Sequence, residues 1–129
     1  MNDTLTIRAM CETFDVTPRT LRFYEQKELL NPQRQGTRRL YTRRDRARLT
    51  LILRGKRFGF SLEDIRQLLE MYDRDGSNEA QLVRTHDLAR QRLAQMRAQR
   101  AELELAIGEL TVEIAEAAAM IAGFRQAAE

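Results

Sequence analysis

The sequence predicts a mainly α-helical chain in two parts: short helices around one small β-hairpin, then a single long helix. Three observations carry this. Helix-capping signals recur at short intervals through the first 65 residues, broken by one polar, Gly-containing stretch. From Leu82 to Phe124, apolar residues return at alternating steps of four and three. The charge balance also changes along the chain. Residues 1–72 carry 15 Lys/Arg against 9 Asp/Glu, a balance of +6, and residues 73–129 carry 7 against 10, a balance of −3. The expected domains are 1–76 and 77–129. The first half looks built to meet a polyanion, and the second does not.

The short helices follow in order. Thr6 can cap a helix over "IRAMCETF". Thr17-Pro18 sets a capping hydroxyl before a proline at the first helical position, which opens a helix containing "RTLRFYEQ". Asn31-Pro32 is expected to end it. "QRQGTRRLY" suits a small hairpin around Gly36. Thr42-Arg-Arg-Asp45 and Ser61-Leu-Glu-Asp64 resemble capping boxes with Asp in place of Glu. They open helices over "RDRARLTLILRGKRF" and "LEDIRQLLEMY", with "GFS" as the turn between. "DRDGSN" (73–78) reads as the linker to the long helix. Helix, turn, helix and basic hairpin in that order make a winged helix-turn-helix.

The long helix carries one narrow seam: Leu82, His86, Ala89, Leu93, Met96, Arg100, Leu103, Ile107, Leu110, Ile114, Ala117, Ile121 and Phe124. All but His86 and Arg100 are apolar, and the pattern is that of a coiled coil. At 1.5 Å per residue it extends roughly 63 Å. Such a seam cannot bury itself, and a second copy of the chain is the simplest partner. Gly108 costs about 1 kcal/mol in a helix interior but need not break one this long. A buried Arg100 would need a partner, with Glu102 or Glu104 of the other chain in reach.

Ten basic residues fall between 34 and 57 against one acid, Asp45. A single arginine is ordinarily a solvated surface group; this density points to nucleic acid. In a helix-turn-helix the second helix enters the major groove by its N-terminal end, which here offers Thr17, Arg19, Thr20 and Arg22. Arginine can pair with guanine, and threonine with a base or phosphate. Leu21 is expected in the core and Phe23 in the core or at its edge. Tyr24 could bond a phosphate or cap the core. The wing offers Arg34, Arg38, Arg39 and Tyr41, placed for the DNA backbone or minor groove. Arg46 and Arg48 are expected to face away from DNA, Arg48 toward solvent or the adjacent helix.

"TLRFYEQKELL" (20–30), "RRLY" (38–41) and "GFSLEDI" (59–65) resemble, in order and spacing, the MerR family of bacterial transcription regulators. The match covers residues 6 to about 72, with the long helix in the expected place. The resemblance implies a winged helix-turn-helix joined to a long dimerisation helix in an antiparallel coiled coil. It implies a homodimer on a pseudo-palindromic operator in double-stranded promoter DNA. That DNA is bent and untwisted in response to an effector so that RNA polymerase can engage it. It further implies DNA contacts from Arg19, Arg22, Phe23 and Tyr24, from Arg39 and Tyr41 in the wing, and from Lys56. Three positions depart from the pattern: Asp15 for a turn glycine, Glu28 in a common "KGL", and Arg38 where an aromatic is frequent.

The effector is not written in the sequence. Cys11 does not fall where metal-sensing members carry their cysteines and reads as a small buried hydrophobe. No metal site or cofactor is expected. His86 sits on the seam, where it sets register or contacts the DNA-binding domain, or else takes a ligand or pH role. No large ligand domain is expected after the long helix. "RGKRFGFSLEDIRQLLEMYD" looks like a subgroup controlling branched-chain amino-acid and acyl-CoA breakdown, which implies an acyl-CoA-like effector. The alternative function is an architectural protein that bends DNA without sensing anything. One histidine, one cysteine and no phosphate loop leave little for an enzyme. No secretory signal or membrane span is expected, which fits a cytoplasmic protein.

Overall fold

A computed structural model describes residues 3–75 and 79–129, with side chains for all of these except 72–75. Strand β1 (Leu5–Thr6) runs straight into helix α1 (Ile7–Phe14). Thr6 makes that corner, because its side chain accepts the Ala9 N–H at 3.2 Å. Helix α1 stops at Asp15, whose φ of 55° is left-handed. Aspartate tolerates that region better than most residues, so the turn survives without its usual glycine. Helix α2 (Pro18–Gln26) starts as read, with Thr17 capping and Pro18 first.

Helix α2 ends earlier than Asn31-Pro32 suggested. After Gln26 the N–H groups of Lys27, Glu28 and Leu29 fold back on the carbonyls of Phe23, Glu25 and Tyr24, at 2.9–3.0 Å. Glu28 takes a left-handed φ of 62°. That costs a non-glycine residue about 1–2 kcal/mol. The reversal turns Leu29 and Leu30 into the core, 0% and 2% exposed.

The hairpin comprises β2 (Gln33–Gln35) and β3 (Arg38–Tyr41), with Gly36 at φ 64° in its turn. Strand β1, absent from the sequence reading, pairs with the other edge of β3, giving the order β1-β3-β2. Leu5 faces Tyr41, and Arg34 faces Arg39. Two residues are too few to show a strand's alternation, so β1 had no sequence signal.

Helix α3 (Arg43–Phe58) begins at a full capping box: Thr42 Oγ1 accepts the Asp45 N–H, and Asp45 returns the bond to the Thr42 N–H. Asp45 also accepts the Asn31 N–H at 3.0 Å, pinning the chain that leads into the wing. Gly59, at φ 83°, ends α3. Helix α4 (Leu62–Asp75) opens with Ser61 Oγ accepting the Asp64 N–H at 3.0 Å. Gly55 lets the two helices cross closely, since a Cβ there would lie 2.9 Å from Ile65 Cγ1. The core between these elements is built from Met10, Leu21, Leu49, Ile52 and Leu69, all fully buried. Cys11 packs partly buried against it, and burial pushes its thiol pKa up.

Helix α5 (Glu79–Ala128) is continuous through Gly108. The chain divides into two compact units, Met1–Asp87 and Leu88–Glu129. Within the first, Gln81 Nε2 donates to the Leu68 carbonyl and Arg84 to Gln67 Oε1, tying the first turns of α5 to α4. Of the segment "DRDGSN", residues 73–75 are helical; Gly76, Ser77, Asn78 and the expected boundary at 76/77 lie outside the described residues. In the second unit Leu88 is the one buried residue. Leu93, Met96, Leu103, Ile107, Leu110 and Ile114 of the seam are all exposed in the single chain, as is Leu82 in the first unit. In the single chain Arg100 is exposed and lies 3.9 Å from Glu104 of its own helix. No helix among the described residues is long and apolar enough to cross a membrane.

Candidate nucleic-acid interface

The recognition helix α2 presents Arg19, Arg22 and Phe23 to solvent, three positions that share one helical face. Phe23 is edge rather than core, at 41% exposed, and Lys27 Nζ sits 5.7 Å from its ring centroid. Thr17 and Thr20 join their hydroxyls at 2.9 Å, while Thr17 also accepts the Thr20 N–H. Capping therefore engages the two threonines read as DNA contacts. Arg38 is exposed beside the wing turn, and Lys56 is exposed on the last turn of α3.

Helix α2 and the wing are joined by one acid. Glu25 takes Arg34 on Oε1 at 2.5 Å and Arg39 on Oε2 at 2.7 Å. Its side chain is only 19% exposed. Among the described residues this ion-paired group does not extend to Lys56.

Several readings need correction. Tyr41, expected at the interface, is fully buried in the core. Strand alternation sends it inward, where it joins the core cluster of Met10, Leu21 and Tyr24. Among the described residues the Tyr41 hydroxyl has no hydrogen-bond partner, and burial, then the nearby Glu25, pushes its pKa up to about 12. Of the two roles left open for Tyr24, the structure shows packing: the ring is 5% exposed in the core, and burial raises its pKa. Arg48 does not face solvent. It is 9% exposed and donates from Nε to the Leu29 carbonyl at 2.8 Å, holding the loop that follows α2. Arg43 and Arg46 both pair with Asp3, whose carboxyl pKa is held below its usual value, first by Arg43. The arginine run 38–48 therefore does much internal work. The acids that divide it, Asp3 and Glu25, lie far from it in sequence and gave no local signal.

A helix-turn-helix with a basic wing and arginines along the exposed face of its second helix defines a DNA-binding regulator of winged type. Among the described residues there is no group of three or more His, Cys, Asp or Glu that could hold a metal. Comparison with known proteins then fixes the family. Residues 5–72 match the model of the MerR HTH family regulatory protein, and residues 46–112 match that of the MerR DNA-binding region. The chain belongs to the MerR family, and it is a DNA-binding transcription regulator. It is 33% identical over 100 residues to the HTH-type transcriptional regulator ZntR of Escherichia coli, covering 76% of this chain and 70% of that one. It is 32% identical over 112 residues to a mercuric resistance operon regulatory protein of Pseudomonas fluorescens, covering 84% and 75%. A MerR-family regulator from Bacillus cereus superposes with a TM-score of 0.67 at 29% identity, over 85% of this chain and 81% of that one. HiNmlR, a MerR-family regulator lacking the sensor domain and bound to promoter DNA, does so at 0.59 and 30%, over 81% and 78%. The family is one of regulators rather than enzymes.

Proposed function

We propose that the chain binds a pseudo-palindromic site in promoter DNA as an antiparallel homodimer and distorts it for RNA polymerase. The observation that carries this is the joined pair of DNA-facing elements, α2 and the wing, in a chain similar to a regulator solved on promoter DNA. On this reading Arg19 and Arg22 enter the major groove, with Thr17, Thr20 and Phe23 beside them. Arg38, Arg39 and Lys56 hold phosphates. Tyr24 and Tyr41 support from the core.

The charges of α5 support the antiparallel order. Between 88 and 101 its charged residues are all basic (Arg90, Arg92, Arg97 and Arg100), and between 102 and 116 all acidic (Glu102, Glu104, Glu109, Glu113 and Glu116). Parallel helices would set like against like. An antiparallel pair with its two-fold axis between Ala101 and Glu102 closes the seam from Leu82 to Ile121, with Leu82 against the partner's Ile121. It also sets Arg97 beside the partner's Glu104 and Arg92 beside the partner's Glu113. The domains are then 1–76 for DNA and 77–129 for dimerisation.

The resemblance to the acyl-CoA subgroup makes an acyl-CoA-like molecule the first effector to assay, in the cytoplasm as the natural compartment. The test is selection of bound duplexes from a random pool, followed by anisotropy on the selected and a scrambled duplex. Arg19→Ala is expected to cost about 1–3 kcal/mol on the selected duplex alone. Lys56→Ala is expected to weaken both alike and to flatten the salt dependence by about one unit. Recovery of duplexes without two-fold symmetry would refute the dimer reading.

A further inference from the structure

We propose that Glu25 sets how sharply the protein discriminates between DNA sequences, by latching the wing to the recognition helix. The inference rests on the DNA-binding reading above and concerns a residue to which that reading gives no DNA contact.

Arg34 and Arg39 are direct partners across the hairpin. Two like charges in that position repel and destabilise the strand pair. The hairpin tolerates them because a third element supplies the counter-charge. Glu25, on the last turn of α2, gives one carboxylate oxygen to each arginine. The side chains of Glu25 and Arg39 are 19% and 24% exposed, so their pair is partly shielded from water and salt. Arg34 is 47% exposed and more open to solvent.

Two consequences follow for DNA. The carboxylate removes one unit of positive charge from the wing, and attraction to any phosphate backbone falls with it. It also fixes the offset between the wing, which grips phosphates, and α2, which reads bases. Phosphate contacts carry no sequence information, but they set the register in which base contacts are made. A wing released from α2 would find phosphates in several registers, gaining affinity for any duplex and losing preference for one. Glu25 is thus a positioning residue: it touches Arg34 and Arg39, and on the reading above Arg39 holds a phosphate.

The experiment uses the full chain, the duplex selected by the wild type and a scrambled duplex of equal length, over a salt series. Glu25→Gln keeps the size and removes the charge. It is expected to tighten binding to the scrambled duplex several-fold and to steepen the plot of log affinity against log salt by about one unit per protomer. The ratio of selected to scrambled affinity is expected to fall about tenfold or more. Glu25→Asp keeps the charge but shortens the reach, so it should hold the wild-type slope while losing part of the ratio. A residue that merely stabilised the fold would move both affinities together and leave the slope alone. The Arg39 Nε–H resonance, followed by NMR in the wild type, tests the latch without a variant; it should persist in both free and bound protein. Loss of that signal on binding, or wild-type ratio and slope in Glu25→Gln, would overturn the proposal. A wild-type chain that binds no duplex would instead overturn the DNA-binding reading beneath it.

Discussion

In the unit Met1–Asp87, Met10, Leu21, Leu49 and Ile52 are fully enclosed, although this unit carries most of the arginines. In Leu88–Glu129, Leu103, Ile107, Leu110 and Ile114 are all more than half exposed, although leucine, isoleucine and alanine dominate. Apolar content therefore does not decide which half holds a core. In the first unit, chain reversals at Asp15, Glu28, Gly36 and Gly59 bring apolar faces from different elements together. The second is one uninterrupted helix, and a helix has no second surface of its own to bury against. The first unit can fold by internal packing, while the second needs another chain.

The largest expected effect tests that contrast directly. Removing residues 88–129 should leave a folded monomer with native helix content by circular dichroism. Its affinity for a two-half-site duplex should fall about a hundredfold or more, because linked binding is lost. A dimeric fragment in sedimentation would show that the first unit carries a dimer surface of its own. The complementary peptide 88–129 should gain helicity as its concentration rises.

Next in size is Arg48→Ala. This arginine lies in the middle of the basic run but works as a core strut, bonded to the Leu29 carbonyl. Its loss should cost about 2 kcal/mol of stability in urea unfolding, because a buried carbonyl is left without its charged donor. A variant as stable as wild type would return Arg48 to the surface charges.

The helix charges give a smaller effect, confined to the other unit. Arg97→Glu should weaken the dimer by about 1 kcal/mol, since exposed ion pairs are individually weak. Adding Glu104→Arg should restore it, because each exchanged residue then meets its opposite on the partner. Failure of the second change to rescue the first would move the two-fold axis away from Ala101 and Glu102.

The smallest effect at neutral pH belongs to Tyr41→Phe. Removing an unpartnered hydroxyl should change stability by less than about 1 kcal/mol there. The difference appears in alkali. The folded phenol ionises only near pH 12, and the unfolded one at the ordinary tyrosine value of 10.0. Stability is therefore fully present below pH 10 and is lost as the pH rises toward 12. Tyr41→Phe should reduce that loss in melts at rising pH, and an unchanged alkaline profile would remove Tyr41 as its source.

What the sequence by itself determined was local. Thr6, Thr17-Pro18, Thr42 with Asp45, and Ser61 each opened the helix they were expected to open, because a cap bonds backbone within three residues of itself. Gly36 marked the wing for the same reason, and the heptad of α5 followed from regular spacing alone. Tertiary structure decided the rest. Which of the arginines in 38–48 face outward depends on Asp3, Glu25 and the Leu29 carbonyl, all distant along the chain. Tyr41 went inward because folding brings its strand against the helices, where its ring joins the core cluster of Met10, Leu21 and Tyr24. A charge declares itself in sequence, but its partner is chosen by folding, since ion pairs and buried contacts join residues whose separation along the chain carries no period.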